Sequence, residues 1–165
     1  MNEFTFAILV VSDRGSRGER RDETAPRLEA LLVPLGGRLV FSKVVPDELP
    51  AIQSAVLEWS DQEGVDLILT TGGTGLHPRD VTPEATHPLF HREIPGMAEA
   101  MRASGLAKTP HAMLSRATAG VRGRSLIVNL PGSPKGATES LEAILPALPH
   151  AIAKIQGDPS ECAVV

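Results

Sequence analysis

This chain has no tyrosine, one tryptophan and four phenylalanines among its 165 residues. Proteins that bind single-stranded nucleic acid stack bases on aromatic rings, and so little aromatic material argues against that class. Basic charge is not in excess either: the formal net charge of −4 excludes a nucleic-acid binder that works through a broad basic face. A single cysteine, Cys162, cannot close an internal disulfide. No apolar run reaches the length of a membrane span, and FAILVV near the start is broken at once by Ser12-Asp13-Arg14, without a signal peptide's flanks or cleavage site. The expectation is a cytoplasmic protein that engages neither membrane nor nucleic acid.

What is present reads as globular. The hydrophobic fraction of 42% and charged fraction of 22% fall in the range of folded domains. The length suits one domain, residues 1–165, large enough to bury a core without metal or disulfide staples. Neither a linker nor an internal repeat interrupts it.

Strand and helix patterns alternate along the chain. Phe4 to Val11, dense in apolar and β-branched residues, reads as a first strand, followed by a polar loop through Arg21. A helix follows with Leu28, Leu31 and Leu32, either Asp22 or Thr24 as its cap, and Gly36-Gly37 as its stop. Arg38 to Val45 is the second strand; beyond Asp47, Leu49, Ile52, Val56 and Trp59 keep helical spacing until Gly64. Val65 to Thr71 is the third strand. Thr82-Pro83-Glu84 starts a helix with a hydroxyl cap, a first-turn proline and an acid near the positive dipole end. Another helix is expected over Gly96 to Ala103, then an irregular stretch from Gly105 to Gly123, then a last strand from Leu126 to Leu130. Ser133 caps and Pro134 begins a helix to about Leu145, and Pro146 and Pro149 kink or divide the final helical segment. The alternation implies a largely parallel sheet with helices on both faces, a three-layer α/β/α domain.

Chemistry concentrates where the third strand ends. LILTTGGTGLHPRD, from Leu67 to Asp80, runs from a buried strand into a glycine turn, and open α/β sheets bind ligands beyond the carboxyl ends of their strands. Gly72, Gly73 and Gly75 permit positive φ and close backbone approach, while Thr70, Thr71 and Thr74 add hydroxyls, so the turn suits an anion such as phosphate. It is neither a nucleotide P-loop, which needs Gly-Lys-Ser/Thr, nor the dinucleotide fingerprint, whose glycine spacing differs. Ser12-Asp13, Asp47 and Asn129-Pro131-Gly132-Ser133 also lie at predicted strand ends, so the fold converges these residues on one rim. Singly, each has a structural account: Asp47 as a helix cap, Asp80 as a helix-start acid, Asn129-Pro131-Gly132 as a turn. His87 and His91 have the i, i+4 spacing of some zinc ligands but lack a third partner, and read as a surface pair. Arg14, Arg17, Arg20 and Arg21 could attract phosphates, yet read first as a solvated loop.

In this order, TTGGTG, PRDVTPEAT, IPGMAEAM, MLSRATAGVRG and LIVNLPGSPKG resemble the MogA/MoaB family of molybdenum-cofactor biosynthesis proteins. The tail ILPALPHAI is similar to the G domain of gephyrin. The resemblance covers nearly the whole chain; only the Arg14–Arg21 loop and the last few residues lie outside it. It implies that family's fold and molybdopterin adenylyltransferase activity, in which ATP and molybdopterin give adenylyl-molybdopterin and pyrophosphate with Mg²⁺. It also implies a homotrimer or hexamer that passes its product to a separate molybdate-insertion protein. Carried over by position, the phosphate-handling loop is Gly72, Gly73, Thr74 and Gly75, and the functional acids, also the Mg²⁺ candidates, are Asp47 and Asp80. Ser115 is the serine of LSR, and the NLPG segment contributes Asn129, Pro131 and Gly132, with Ser133 following. Two alternatives share the family: a catalytically silent molybdopterin-binding scaffold and a nucleotide pyrophosphatase.

Overall fold

The computed structural model describes residues 3–162. In chain order the elements are β1 (Phe4–Val11), α1 (Asp13–Ser16), α2 (Thr24–Leu32), β2 (Gly37–Val45), α3 (Leu49–Leu57), β3 (Leu67–Thr71), α4 (Thr82–Thr86), β4 (Arg92–Glu93), α5 (Pro95–Leu106), β5 (Ala119–Arg122), β6 (Ser125–Leu130), α6 (Pro134–Ile144) and α7 (Leu148–Ile155). One six-stranded sheet runs β2-β1-β3-β6-β5-β4. β2, β1, β3 and β6 are parallel, and β5 and β4 are antiparallel.

The sequence explains the layering. Every residue of β3 and β6 is buried, and only Thr5 of β1 is not, as expected where both faces of a parallel sheet are covered. Phe6, Ile8, Leu69 and Val128 face one way and pack with Leu28, Met101 and Leu141 from α2, α5 and α6. Leu9, Ile68 and Ile127 face the other way and pack with Ile52, Val56 and Trp59 around α3. Each fully buried large side chain contributes on the order of 1.5–3 kcal/mol relative to exposure. The result is the expected three-layer α/β/α arrangement with a mostly parallel sheet.

Several local expectations are corrected. The stretch expected to be irregular, Gly105 to Gly123, holds a 3₁₀ turn at Pro110–Leu114 and the strand β5, which turns back on β6 through Gly123 at φ +54°. β5 has four residues and β4 two, too few for an alternation to show. The helix expected over Gly96 to Ala103 runs from Pro95 to Leu106, and β3 begins at Leu67 rather than Val65. The polar loop after β1 opens with the single turn α1, whose cap is the Ser12 hydroxyl accepting from the Gly15 N–H at 3.0 Å. Thr82 does not cap α4: its hydroxyl donates to the Gly72 carbonyl at 2.8 Å.

The chain leaves β1 for α2 on one face of the sheet and β3 for α4 on the other. Adjacent strands whose exits diverge leave a crevice between their carboxyl ends.

Candidate functional site

At that crevice the glycines are forced by neighbours. Gly72 has φ +104°, and a Cβ there would lie 2.2 Å from the Val11 carbonyl oxygen; Gly73 has φ +68°, and its Cβ would lie 2.3 Å from the Thr82 hydroxyl. The close approach expected of these glycines is therefore made first with the chain's own atoms. The Gly72 N–H donates to the Leu130 carbonyl at 3.1 Å, the Thr71 hydroxyl to the Pro131 carbonyl at 2.6 Å, and the Thr82 N–H to the Gly73 carbonyl at 3.0 Å. Thus β3, β6 and α4 fix the turn from three sides. Among the described residues the N–H groups of Gly73, Thr74 and Gly75 have no acceptor in the protein. Consecutive unpaired amides of this kind suit an anion.

Asp47 stands across the crevice and does not cap α3, whose cap position is Glu48. Its Oδ2 accepts from the Asp13 N–H at 2.9 Å, while its own N–H donates to Asp13 Oδ1 at 3.0 Å. Its Oδ1 faces Gly73, 3.2 Å from where a Cβ would stand. Burial holds the Asp47 carboxyl above its ordinary pKa; the Asp13 N–H works against this, and the charges of Asp13 and Asp80 add to it. Asp13 is shifted down, chiefly by the Arg79 guanidinium, which donates to both its oxygens at 2.9 and 3.0 Å.

Asp80 precedes α4 and so is not a helical residue. Its Oδ2 accepts from the His77 N–H at 3.0 Å and would lie 2.9 Å from a Cβ on Gly75. Arg116 ties this loop down: its guanidinium donates to the Gly75 and Asp80 carbonyls, each at 2.8 Å, and pairs with Glu84, while its N–H donates to the Thr74 carbonyl at 2.9 Å.

Two pockets flank this loop. The larger, about 460 Å³, is lined by Gly73, Thr74, Gly75, Asp80, Ser115, Pro131, Gly132 and Ser133, and also by Arg102, His111, Glu139 and Ser140. The smaller, about 320 Å³, is lined by Ser12, Asp47, Gly72, Gly73, Asp80, Gly132 and Ser133, and also by Arg20 and Arg21. Gly73, Asp80, Gly132 and Ser133 belong to both. Both volumes lie in the range of small-molecule sites.

Two residues expected to touch ligand stand elsewhere. Asn129 is fully buried, and its amide is wholly engaged: Nδ2 donates to the Thr70 and Thr86 hydroxyls, and Oδ1 accepts from the Thr118 N–H and hydroxyl. It braces the strand ends from within rather than lining a pocket. Asp13 also lines neither pocket and instead holds Asp47 and Arg79. Ser133 lines both pockets and also caps α6, accepting from the Gly136 N–H at 3.1 Å. The sequence assigns Arg79 and Arg116 no role of their own, although each sits next to a motif residue, and it leaves Arg20 and Arg21 between a solvated loop and attraction of phosphates. His87 pairs with Glu93 at 3.4 Å and His91 accepts from the Gly123 N–H, so they remain surface groups without metal geometry.

Among the described residues no three His, Cys, Asp or Glu side chains form a metal cage. Asp47 and Asp80, two carboxylates facing one turn, could hold a divalent cation together with a phosphate ligand.

The sequence matches, over residues 7–150, the family described as "Probable molybdopterin binding domain". The fold is similar to the molybdopterin biosynthesis enzyme MoaB of Thermus thermophilus, with TM-score 0.90 and 57% identity, covering 96% of this chain and 99% of that one. Among curated proteins, the chain is 40% identical to a molybdopterin adenylyltransferase of Helicobacter pylori over 96% of its length and 91% of that protein's. It is 44% identical to gephyrin of Dictyostelium discoideum over 95% of its length but spans only 23% of that longer protein. Matched by that family model over residues 7–150 and by the MoaB structure over 96% of its length, this chain belongs to the MogA/MoaB family of molybdenum-cofactor biosynthesis proteins.

Proposed function

We propose that this chain is a molybdopterin adenylyltransferase, which transfers AMP from ATP to the terminal phosphate of molybdopterin and releases pyrophosphate. The observation that carries the reading is the junction of two pockets over Gly73, Asp80, Gly132 and Ser133. Joining two phosphorylated molecules requires two sites that meet where the phosphates react. The adenylyltransferase relative named above, matched over most of both chains, supports the same chemistry.

In this reading molybdopterin occupies the larger pocket, whose Ser115, Glu139 and Ser140 offer hydrogen-bonding partners to a pterin edge, and ATP presents its phosphates in the smaller. An oxygen of the molybdopterin phosphate attacks the α-phosphorus, a new P–O bond forms, and the bond to the β-phosphate oxygen breaks with its electron pair leaving on pyrophosphate. The free N–H groups of Gly73, Thr74 and Gly75 hold the phosphate oxygens without reorganising during the step. Asp47 and Asp80 would hold Mg²⁺, which when bound neutralises phosphate charge. Arg116 keeps Gly75 and Asp80 in place. The assembly is a homotrimer in this reading, acting in the cytoplasm as one domain and handing its product to a molybdate-insertion protein.

Incubation with ATP, with and without molybdopterin, tests the proposal. Adenylyl-molybdopterin and pyrophosphate should form only when both are present. Pyrophosphate release from ATP alone would identify a pyrophosphatase, and pterin binding without turnover a silent scaffold.

A further inference from the structure

The segment that joins α1 to α2 borders the smaller pocket. Arg20 and Arg21 are the cationic side chains in that lining, beside the carboxylates of Asp22, Glu23, Asp47 and Asp80. Arg17, Arg79 and Arg116 near this rim are engaged with Glu19, Asp13 and Glu84, and Arg14 lines neither pocket. Arg20 and Arg21 make no ion pair among the described residues. Their place is set by the next residue, because Asp22 accepts from the Thr24 N–H at 2.8 Å and from the Ala25 N–H at 3.2 Å and so anchors the loop to the start of α2.

Transfer in line fixes which side needs positive charge. The nucleophile and the leaving group lie on opposite sides of the reacting phosphorus. If the molybdopterin phosphate reaches the shared floor from the larger pocket, pyrophosphate departs into the smaller one. That pocket is otherwise acidic, and a leaving group that gains charge in the transition state would be repelled there. Guanidinium groups bind phosphate oxygens with paired, charge-assisted hydrogen bonds.

We propose that Arg20 and Arg21 form the binding site for the β- and γ-phosphates of ATP and for the pyrophosphate that leaves. This rests on the adenylyl-transfer reading above and adds to it which residues receive the leaving group. Asp47 and Asp80, beside the glycine turn, organise the reacting phosphate, while the two arginines hold the part that departs.

The experiment is calorimetric titration of inorganic pyrophosphate, and separately of ATP, in the presence of Mg²⁺, into the intact protein and into an Arg20→Gln, Arg21→Gln double variant. Both side chains are exposed, so the melting temperature should not move. The expected result is a loss of pyrophosphate affinity of about tenfold or more, a comparable loss for ATP, and unchanged affinity for molybdopterin. An Arg20→Lys, Arg21→Lys variant should recover part of the loss, because it restores charge without the paired geometry. Equal pyrophosphate affinity in the intact protein and the glutamine variant would overturn the assignment of these arginines while leaving adenylyl transfer standing. An intact protein that binds neither ATP nor pyrophosphate would overturn both readings.

Discussion

The folded state holds Asp47 at a cost in stability. Its carboxyl is shifted upward mainly by burial, so the folded protein binds its proton more readily than the unfolded chain does. Ionisation at neutral pH therefore costs stability, and the cost grows as pH rises from the ordinary aspartate pKa through the raised folded one. Asp47→Asn keeps an acceptor for the Asp13 N–H and removes the charge. We expect this variant to melt about 1–2 °C higher at neutral pH, with the gain fading as pH falls below the ordinary aspartate range. Adenylylation should drop by roughly two orders of magnitude, the scale of one lost electrostatic group. Thermal melts across pH beside a turnover assay check both halves; a destabilised variant with full turnover would return Asp47 to a structural role. Asp13 has the opposite sign: its lowered carboxyl, beside Arg79, favours folding above the ordinary aspartate pKa and loses that contribution in acid.

At the scale of elements, the loop between β3 and α4 is tied down by contacts from β6 and α4 and by one side chain from beyond α5. Arg116→Lys retains a charge for Glu84 but cannot span the two carbonyls that the guanidinium reaches. Turnover should fall about tenfold or more, because misplacing a reacting group by a fraction of an ångström is costly, while pyrophosphate binding at Arg20 and Arg21 persists. Unchanged turnover would show that Thr82 and Pro131 alone fix the loop. This clamp was hidden in the sequence for a physical reason: Arg116 acts on main-chain oxygens, and carbonyls have no residue type to match. The parallel core was readable because β1, β3 and β6 carry apolar runs that end at turn residues, whereas β4 and β5 become strands only by pairing with β6 and each other. Asn129 shows the converse difficulty, since a polar residue at a strand end looks the same whether it meets a ligand or, as here, the Thr70, Thr86 and Thr118 hydroxyls.

For the molecule as a whole, the rim is stitched together from distant parts of the chain. Asp13 and Asp47 are 34 residues apart, Arg116 and Asp80 36, Thr71 and Pro131 60, and Arg79 and Asp13 66. Contacts so far apart along a chain form slowly, because loop entropy is lost before they are gained. Trp59 is stacked on Phe41 at 5.8 Å, a contact closer along the chain than those of the rim and expected to form before the rim closes. During refolding, tryptophan fluorescence should recover first and pyrophosphate binding no sooner, measured by stopped flow with the two probes in parallel. Binding that returned before tryptophan burial would mean the rim forms without the sheet beneath it. A site closed last during folding is also the first to be lost on partial unfolding, so loss of ligand binding should serve as an early sign of damage to this protein while its core still holds.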